Sequence, residues 1–159
     1  MTNGKEKGIL VEEAVKNAFE FHGEKAEELI PILLKVNSEL GFLPDEALKT
    51  ISERLRIPQS QLYSVATFYK MLFTKKMGRH VVKFCESAPC HVAGGRQVWS
   101  ALKNELKLQP GETSPDGNWT LITVSCLGLC SDGPVMIVDE DVYGNLTAES
   151  LPSIFAGYK

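Results

Sequence analysis

The chain has 159 residues, of which 43% are hydrophobic and 23% charged, a balance suited to burying a core and unlike that of a disordered or fibrous chain. Seventeen Lys and Arg against twenty Asp and Glu leave a formal charge of -3, so there is no basic field for a phosphate backbone, and nucleic acid is not an expected partner. No apolar run approaches the roughly 18 residues that cross a bilayer, so direct membrane insertion is not expected.

The opening residues lead into an acidic amphipathic stretch rather than the apolar core of a secretory signal, and a cytoplasmic location is expected. Over residues 24–40, Leu29, Leu33, Val36 and Leu40 recur at helical spacing, with Pro31 in the first turn or at a kink. Gly41 stands where a C-cap falls. Pro44-Asp45-Glu46 opens another helix, its acidic side chains at the positive end of the dipole and Leu48, Ile51 and Leu55 on its buried face. Pro58 ends that helix, and residues 59–72 predict a further one with Leu62, Val65, Tyr69 and Leu72 on one side.

At Lys75-Lys76-Met77-Gly78 the helical period stops, which places a boundary near residue 78 between a helical domain, 1–78, and a second domain, 79–159. Residues 79–84 are a short β-branched run and read as a strand. Val98, Trp99, Leu102 and Leu106 return to helical spacing within 92–108, and the segment 109–118, rich in proline and glycine, reads as loop. Residues 119–126 form a second strand. The segments 135–138 and 142–146 flank Asp139-Glu140-Asp141 as a hairpin. Thr147 caps a last helix through Phe155. The second half is therefore β-α-β-β-α, and the chain as a whole is α+β.

All four cysteines lie in the second half, with four residues between Cys85 and Cys90 and three between Cys126 and Cys130. In a chain without an export signal they point to metal or redox chemistry rather than a disulfide framework. Each pair begins where a strand is expected to end. Neighbouring strands lie about 4.8 Å apart, so loops leaving one sheet edge bring two pairs of thiols together. A 2Fe-2S cluster takes four thiolates, two on each iron, and its net negative charge calls for backbone N–H groups aimed at the sulfurs. Gly128 and the turn at Ala88-Pro89 suit a chain wrapped tightly around such a core. Structural zinc also takes four cysteines, but its knuckles mostly have two intervening residues, and the longer spacings here tilt the choice towards iron-sulfur. A thioredoxin-type oxidoreductase needs Cys-x-x-Cys, and a Rieske site needs Cys-x-His. Neither is present. His91 reads as a loop residue, Arg96 as a solvated helix face, and Trp99 and Trp119 as core.

Cys-x-x-x-x-Cys, a long spacer, and Cys-x-Gly-x-Cys followed by Gly133-Pro134 resemble the E-subunit family of bacterial NADH-quinone oxidoreductase, respiratory complex I, the thioredoxin-like 2Fe-2S ferredoxins. The likeness extends through Gly41-Phe42-Leu43-Pro44 and Val65-Ala66-Thr67-Phe68-Tyr69. Gly133 stands where relatives usually carry alanine, and Ser131-Asp132 replaces a more apolar pair; both changes leave the cysteines in place.

The resemblance implies an N-terminal helical bundle followed by a thioredoxin-like 2Fe-2S domain, with Cys85, Cys90, Cys126 and Cys130 as the ligands of one cluster. It implies an electron-transfer subunit of an NADH dehydrogenase, in the peripheral arm of a membrane-bound complex on the cytoplasmic side. NADH and FMN are then expected on a partner flavoprotein subunit, in keeping with the absence here of any dinucleotide or P-loop motif. The same module serves as a diaphorase subunit in NAD-dependent hydrogenases and formate dehydrogenases, which stands as the alternative, with a zinc-stabilised interaction module as a third. The helical half, with Phe42, Phe68 and Tyr69, is expected to pack against the cluster domain or another subunit.

Overall fold

The computed structural model describes residues 4–158, and side chains from residue 10 to 158. The chain divides into two compact units, Met1–Lys76 and Met77–Lys159.

The first unit is helical, with α1 (Gly4–His22), α2 (Leu29–Leu40), α3 (Asp45–Leu55) and α4 (Gln59–Phe68). Val15, Ala18 and Phe19 of α1 pack with Ile32, Leu33 and Val36 of α2, Leu48 and Ile51 of α3, and Leu62 and Ala66 of α4. The sequence pattern sets no boundaries for α1, because two of its inward residues, Ala14 and Ala18, are too small to mark an apolar stripe. The helix expected over 24–40 is instead a 3-10 turn, Ala26–Glu28, followed by α2. Pro31 falls in the first turn of α2, where no intrahelical N–H is lost. Gly41 closes that helix at φ 77, its N–H donating to the Asn37 carbonyl, as a left-handed cap should.

The helix expected through residue 72 stops at Phe68. Asn37 competes for the backbone that follows: its Oδ1 accepts the Phe73 N–H at 2.9 Å and its Nδ2 donates to the Met71 carbonyl at 3.4 Å. Leu72 is buried from that turn, Tyr69 lies against the same core, and Phe68 is 77% exposed.

The second unit runs β1 (His80–Cys85), α5 (Ala88–Cys90), a wide turn His91–Gly95, α6 (Arg96–Leu106), β2 (Glu112–Thr113), β3 (Trp119–Val124), β4 (Met136–Val138), β5 (Asp141–Tyr143) and α7 (Leu151–Phe155). The sheet order is β2-β3-β1-β4-β5. β1 and β3 are parallel, with Cys85 opposite Val124, and β4 runs antiparallel to β1. Val82, Phe84, Leu121, Met136 and Val138 of the sheet pack against Val98 and Leu102 of α6 and Leu151 and Phe155 of α7. The expected loop at 109–118 contains β2, too short for its pairing to β3 to show as alternation. The second hairpin strand is also shorter than expected. Thr147 caps as expected, its side chain accepting from the Ser150 N–H at the start of the turn that leads into α7. Helices beside a mixed sheet make this the α+β architecture read from the sequence. Among the described residues no helix is long and apolar enough to cross a membrane.

Thr120 is the buried polar residue of this sheet, its Oγ1 accepting the Gly78 N–H at 2.6 Å and bonding the Thr113 hydroxyl at 2.8 Å. Thr120→Val keeps the shape and strands that amide, so a loss of about 1–3 kcal/mol is expected in urea denaturation. An unchanged midpoint would mean that water takes over the bond.

Candidate metal centre

Because β1 and β3 are parallel neighbours, their C-terminal ends lie on one edge of the sheet. Cys85 is the last residue of β1, and Cys126 follows β3 by two positions. Two backbone bonds tie the loops down, Glu86 N–H to the Val124 carbonyl at 3.0 Å and Cys85 N–H to the Val135 carbonyl at 3.1 Å. Cys85, Cys90 and Val135 form a small buried cluster, and Leu127 of the second cysteine loop packs onto it.

Cys90 ends α5, whose first turn holds Pro89, and the chain then doubles back through Gly94 at φ 101. Gly133 lies against it: a Cβ there would stand 3.3 Å from both the Cα and Sγ of Cys90. Cys85 and Cys90 are 2% and 1% exposed, whereas Cys126 and Cys130 are open to solvent, their sulfurs 3.3 Å apart. The four residues singled out in the sequence are thus brought to one sheet edge as two adjoining pairs. Among the described residues, no three His, Cys, Asp or Glu side chains close on a single point as one metal ion would require.

The environment of each sulfur has its own sign. Burial pushes the Cys85 thiol up, but hydrogen bonding from the Ser87 and Leu127 backbones, then from the Cys90 and Ser87 side chains, outweighs it and holds the thiol below its ordinary range. Burial and the Cys85 sulfur raise Cys90 against an opposing backbone bond from Val135. Cys126 is lowered by the Gly128 N–H, which lies 3.3 Å from its sulfur, and then by Cys130. Cys130 is raised by the bond to Cys126. Each pair therefore holds one thiol whose proton is more easily lost than usual and one whose proton is less easily lost. Ligation displaces those protons, so metal uptake strengthens as pH rises.

The donor set fits an iron-sulfur core on chemical grounds: four thiols, with backbone groups of Ser87, Leu127, Gly128 and Val135 bonded to three of the sulfurs. The sequence reading expected such amides around Gly128 and the Ala88-Pro89 turn and missed those of Leu127 and Val135. It also missed the Ser87 hydroxyl. Ser before Ala-Pro is a capping signal, and nothing in the pattern says that its side chain turns to sulfur. His91 and Arg96 are exposed, with Arg96 Nε and Nη2 donating to His91 Nε2 at 3.3 and 3.1 Å. Trp99 stacks on Phe84 at 5.2 Å, and Trp119 packs edge-on against Phe155, so both are core as expected.

Residues 15–159 match the family model described as thioredoxin-like [2Fe-2S] ferredoxin. The chain belongs to that family. The E subunit of NADH-quinone oxidoreductase from Escherichia coli (strain K12) is 37% identical over 147 residues, covering 92% of this chain and 89% of that one. The protein of the same name in Buchnera aphidicola subsp. Acyrthosiphon pisum (strain APS) is 38% identical over 146 residues, covering 92% and 90%. A chain of an NAD+-reducing [NiFe]-hydrogenase in the H2-reduced state superposes with a TM-score of 0.72 at 21% identity, over 85% of this chain and 22% of that one. This last likeness is one of fold alone.

For a ferredoxin of this family the loop between Cys126 and Cys130 has one position that only glycine fits well. Gly128 lies at φ 83, with nothing near where a Cβ would stand. Gly128→Val therefore meets no clash but places a β-branched residue in the left-handed region, at a cost of about 1–2 kcal/mol. The loop is expected to relax and carry its N–H away from the Cys126 sulfur. Visible circular dichroism and the reduction potential should both change, and an unaltered pair of values would show that the loop adapts without moving the amide.

Proposed function

We propose that Cys85, Cys90, Cys126 and Cys130 hold one 2Fe-2S cluster, and that the chain is the electron-transfer subunit of an NADH-quinone oxidoreductase. The observation that carries this reading is the placing of two adjoining sulfur pairs on one sheet edge, with amides bonded to them. Two pairs, rather than one tetrahedral point, favour a binuclear core over a zinc ion. When bound, the cluster supplies one-electron transfer. The chain's own part is to hold four thiolates, to set backbone dipoles against their charge, and to leave Cys126 and Cys130 at the surface where a partner can approach. NADH and FMN belong to a partner flavoprotein subunit, in the peripheral arm of the complex on the cytoplasmic side. The names of the relatives and the absence of any nucleotide-binding motif support that division of labour.

Purified full-length chain is expected to be coloured, with iron and acid-labile sulfide in 2Fe-2S proportion, and to leave NADH unoxidised until the flavoprotein subunit is added. A colourless protein with stoichiometric zinc would overturn the cluster. NADH turnover by the pure chain with an artificial acceptor would overturn the division between subunits.

A further inference from the structure

Cys126 and Cys130 differ from the other pair in access. Both are open to solvent, whereas Cys85 and Cys90 are buried. Cys126 stands two positions past β3, and Cys130 opens a 3-10 turn, Cys130–Asp132, in which the Asp132 N–H donates to the Leu129 carbonyl at 3.1 Å. Between them Leu127 packs inward on Cys85, Cys90 and Val135, and the Gly128 N–H lies 3.3 Å from the Cys126 sulfur. Both ends of this short loop are thus held, and the two sulfurs stand 3.3 Å apart, one thiol bonded to the other. A disulfide bond is about 2.05 Å long, so closing the gap takes a movement of about 1.2 Å. Gly128 gives room for it, since no atom lies within 4 Å of where a Cβ would stand.

We propose that Cys126 and Cys130 are a redox modification site: in the cluster-free chain a low-molecular-weight disulfide such as oxidised glutathione converts them to an intraloop disulfide, which bars cluster assembly until it is reduced. One cysteine, as thiolate, attacks a sulfur of the small disulfide, whose S–S bond breaks, and the thiolate released takes up the proton that the cysteine lost. A mixed disulfide is left. The second cysteine gives up its proton and attacks the first cysteine's sulfur from 3.3 Å, forming the Cys126–Cys130 bond and expelling the second small thiol. Two protein thiols are oxidised, and one small disulfide is reduced to two thiols. The buried pair gives the reagent no approach and remains as thiols. A disulfide sulfur is not a thiolate, so the oxidised loop supplies neither of its ligands to iron. That consequence rests on the reading that the four cysteines hold a cluster. An exposed disulfide across so short a loop belongs to the labile class, and a dithiol reverses it.

Trypsin separates the two pairs, because Cys85 and Cys90 lie in the peptide 84–96 and Cys126 and Cys130 in 108–159. Full-length chain, freed of metal by chelation under a reductant that is then removed, is treated with oxidised glutathione, blocked with N-ethylmaleimide in denaturant and digested. The expected result is a peptide 108–159 lighter by two hydrogens and unlabelled, beside a peptide 84–96 carrying a maleimide on each cysteine. Cys130→Ser should stop at the mixed disulfide and keep glutathione on Cys126. A fully labelled 108–159, a 108–159 joined to 84–96, or a Cys130→Ser chain without the adduct overturns the proposal. Given ferrous iron and sulfide without oxygen, the oxidised chain should stay colourless and take up the cluster only after dithiothreitol is added. Equal uptake by the oxidised and reduced chains overturns the bar to assembly. A reduced parent chain that takes up no iron overturns the cluster reading, and the role in assembly with it, while the peptides still decide the disulfide.

Discussion

Cys90→Ala is expected to leave a folded protein that holds little or no iron. The sulfur removed is buried and takes a backbone bond from Val135, while the Cys85 N–H bond to the Val135 carbonyl does not depend on it. The loss of folding stability in the iron-free chain is therefore moderate, about 1–3 kcal/mol for a small cavity and a backbone group left without its partner. Loss of a proposed ligand acts differently. An iron left with one protein thiolate is open to water, and three cysteines cannot complete two tetrahedra. Cys126→Ala makes the control. Its sulfur is exposed, so the stability change should be smaller still while the loss of iron is the same. Iron content, the visible spectrum and a thermal melt of the iron-free proteins separate these effects. A Cys90→Ala chain with normal iron and a normal spectrum would remove Cys90 from the ligand set.

The cysteines were legible in the sequence because β-branched runs mark β1 and β3, and each pair of thiols begins as a run ends. Their convergence was expected for loops leaving neighbouring strand ends, but neither run states that β1 pairs with β3 in parallel, or that Cys85 lies opposite Val124. The helices with large apolar stripes were equally legible, Leu48, Ile51 and Leu55 placing α3 within its observed bounds. The failures have a common cause in partners remote along the chain. α4 ends where it does because Asn37 takes the Phe73 N–H, a contact spanning 36 positions. β2 exists because two residues reach β3. Local pattern fixes what a segment prefers, and tertiary contacts decide where it stops.

Gly95→Ala should disrupt the site from outside the ligand set. On helix propensity alone the change is favourable by up to about 1 kcal/mol, because Gly95 immediately precedes α6 and has helical backbone angles. The space decides otherwise. A Cβ at Gly95 would lie 2.5 Å from the carbonyl oxygen of Cys90 and 3.0 Å from its carbonyl carbon, backbone atoms that move only if Cys90 moves. The third neighbour is the ring of Phe84 at 3.7 Å, held by its stacking on Trp99, so the new methyl has no easy way out on that side. The overpacking is expected to cost about 1–3 kcal/mol and to displace the Cys90 sulfur, with loss of iron beyond what the stability change explains. Gly94→Ala provides the contrast. Gly94 lies at φ 101 with only the Gln97 Oε1 within reach, at 3.9 Å, so its cost is backbone strain without a collision at Cys90. A melt and an iron determination on both variants test the difference: Gly95→Ala should lose iron and Gly94→Ala should retain more of it. Equal loading of the two would mean that the close approach of Gly95 to Cys90 does not set the position of the ligand.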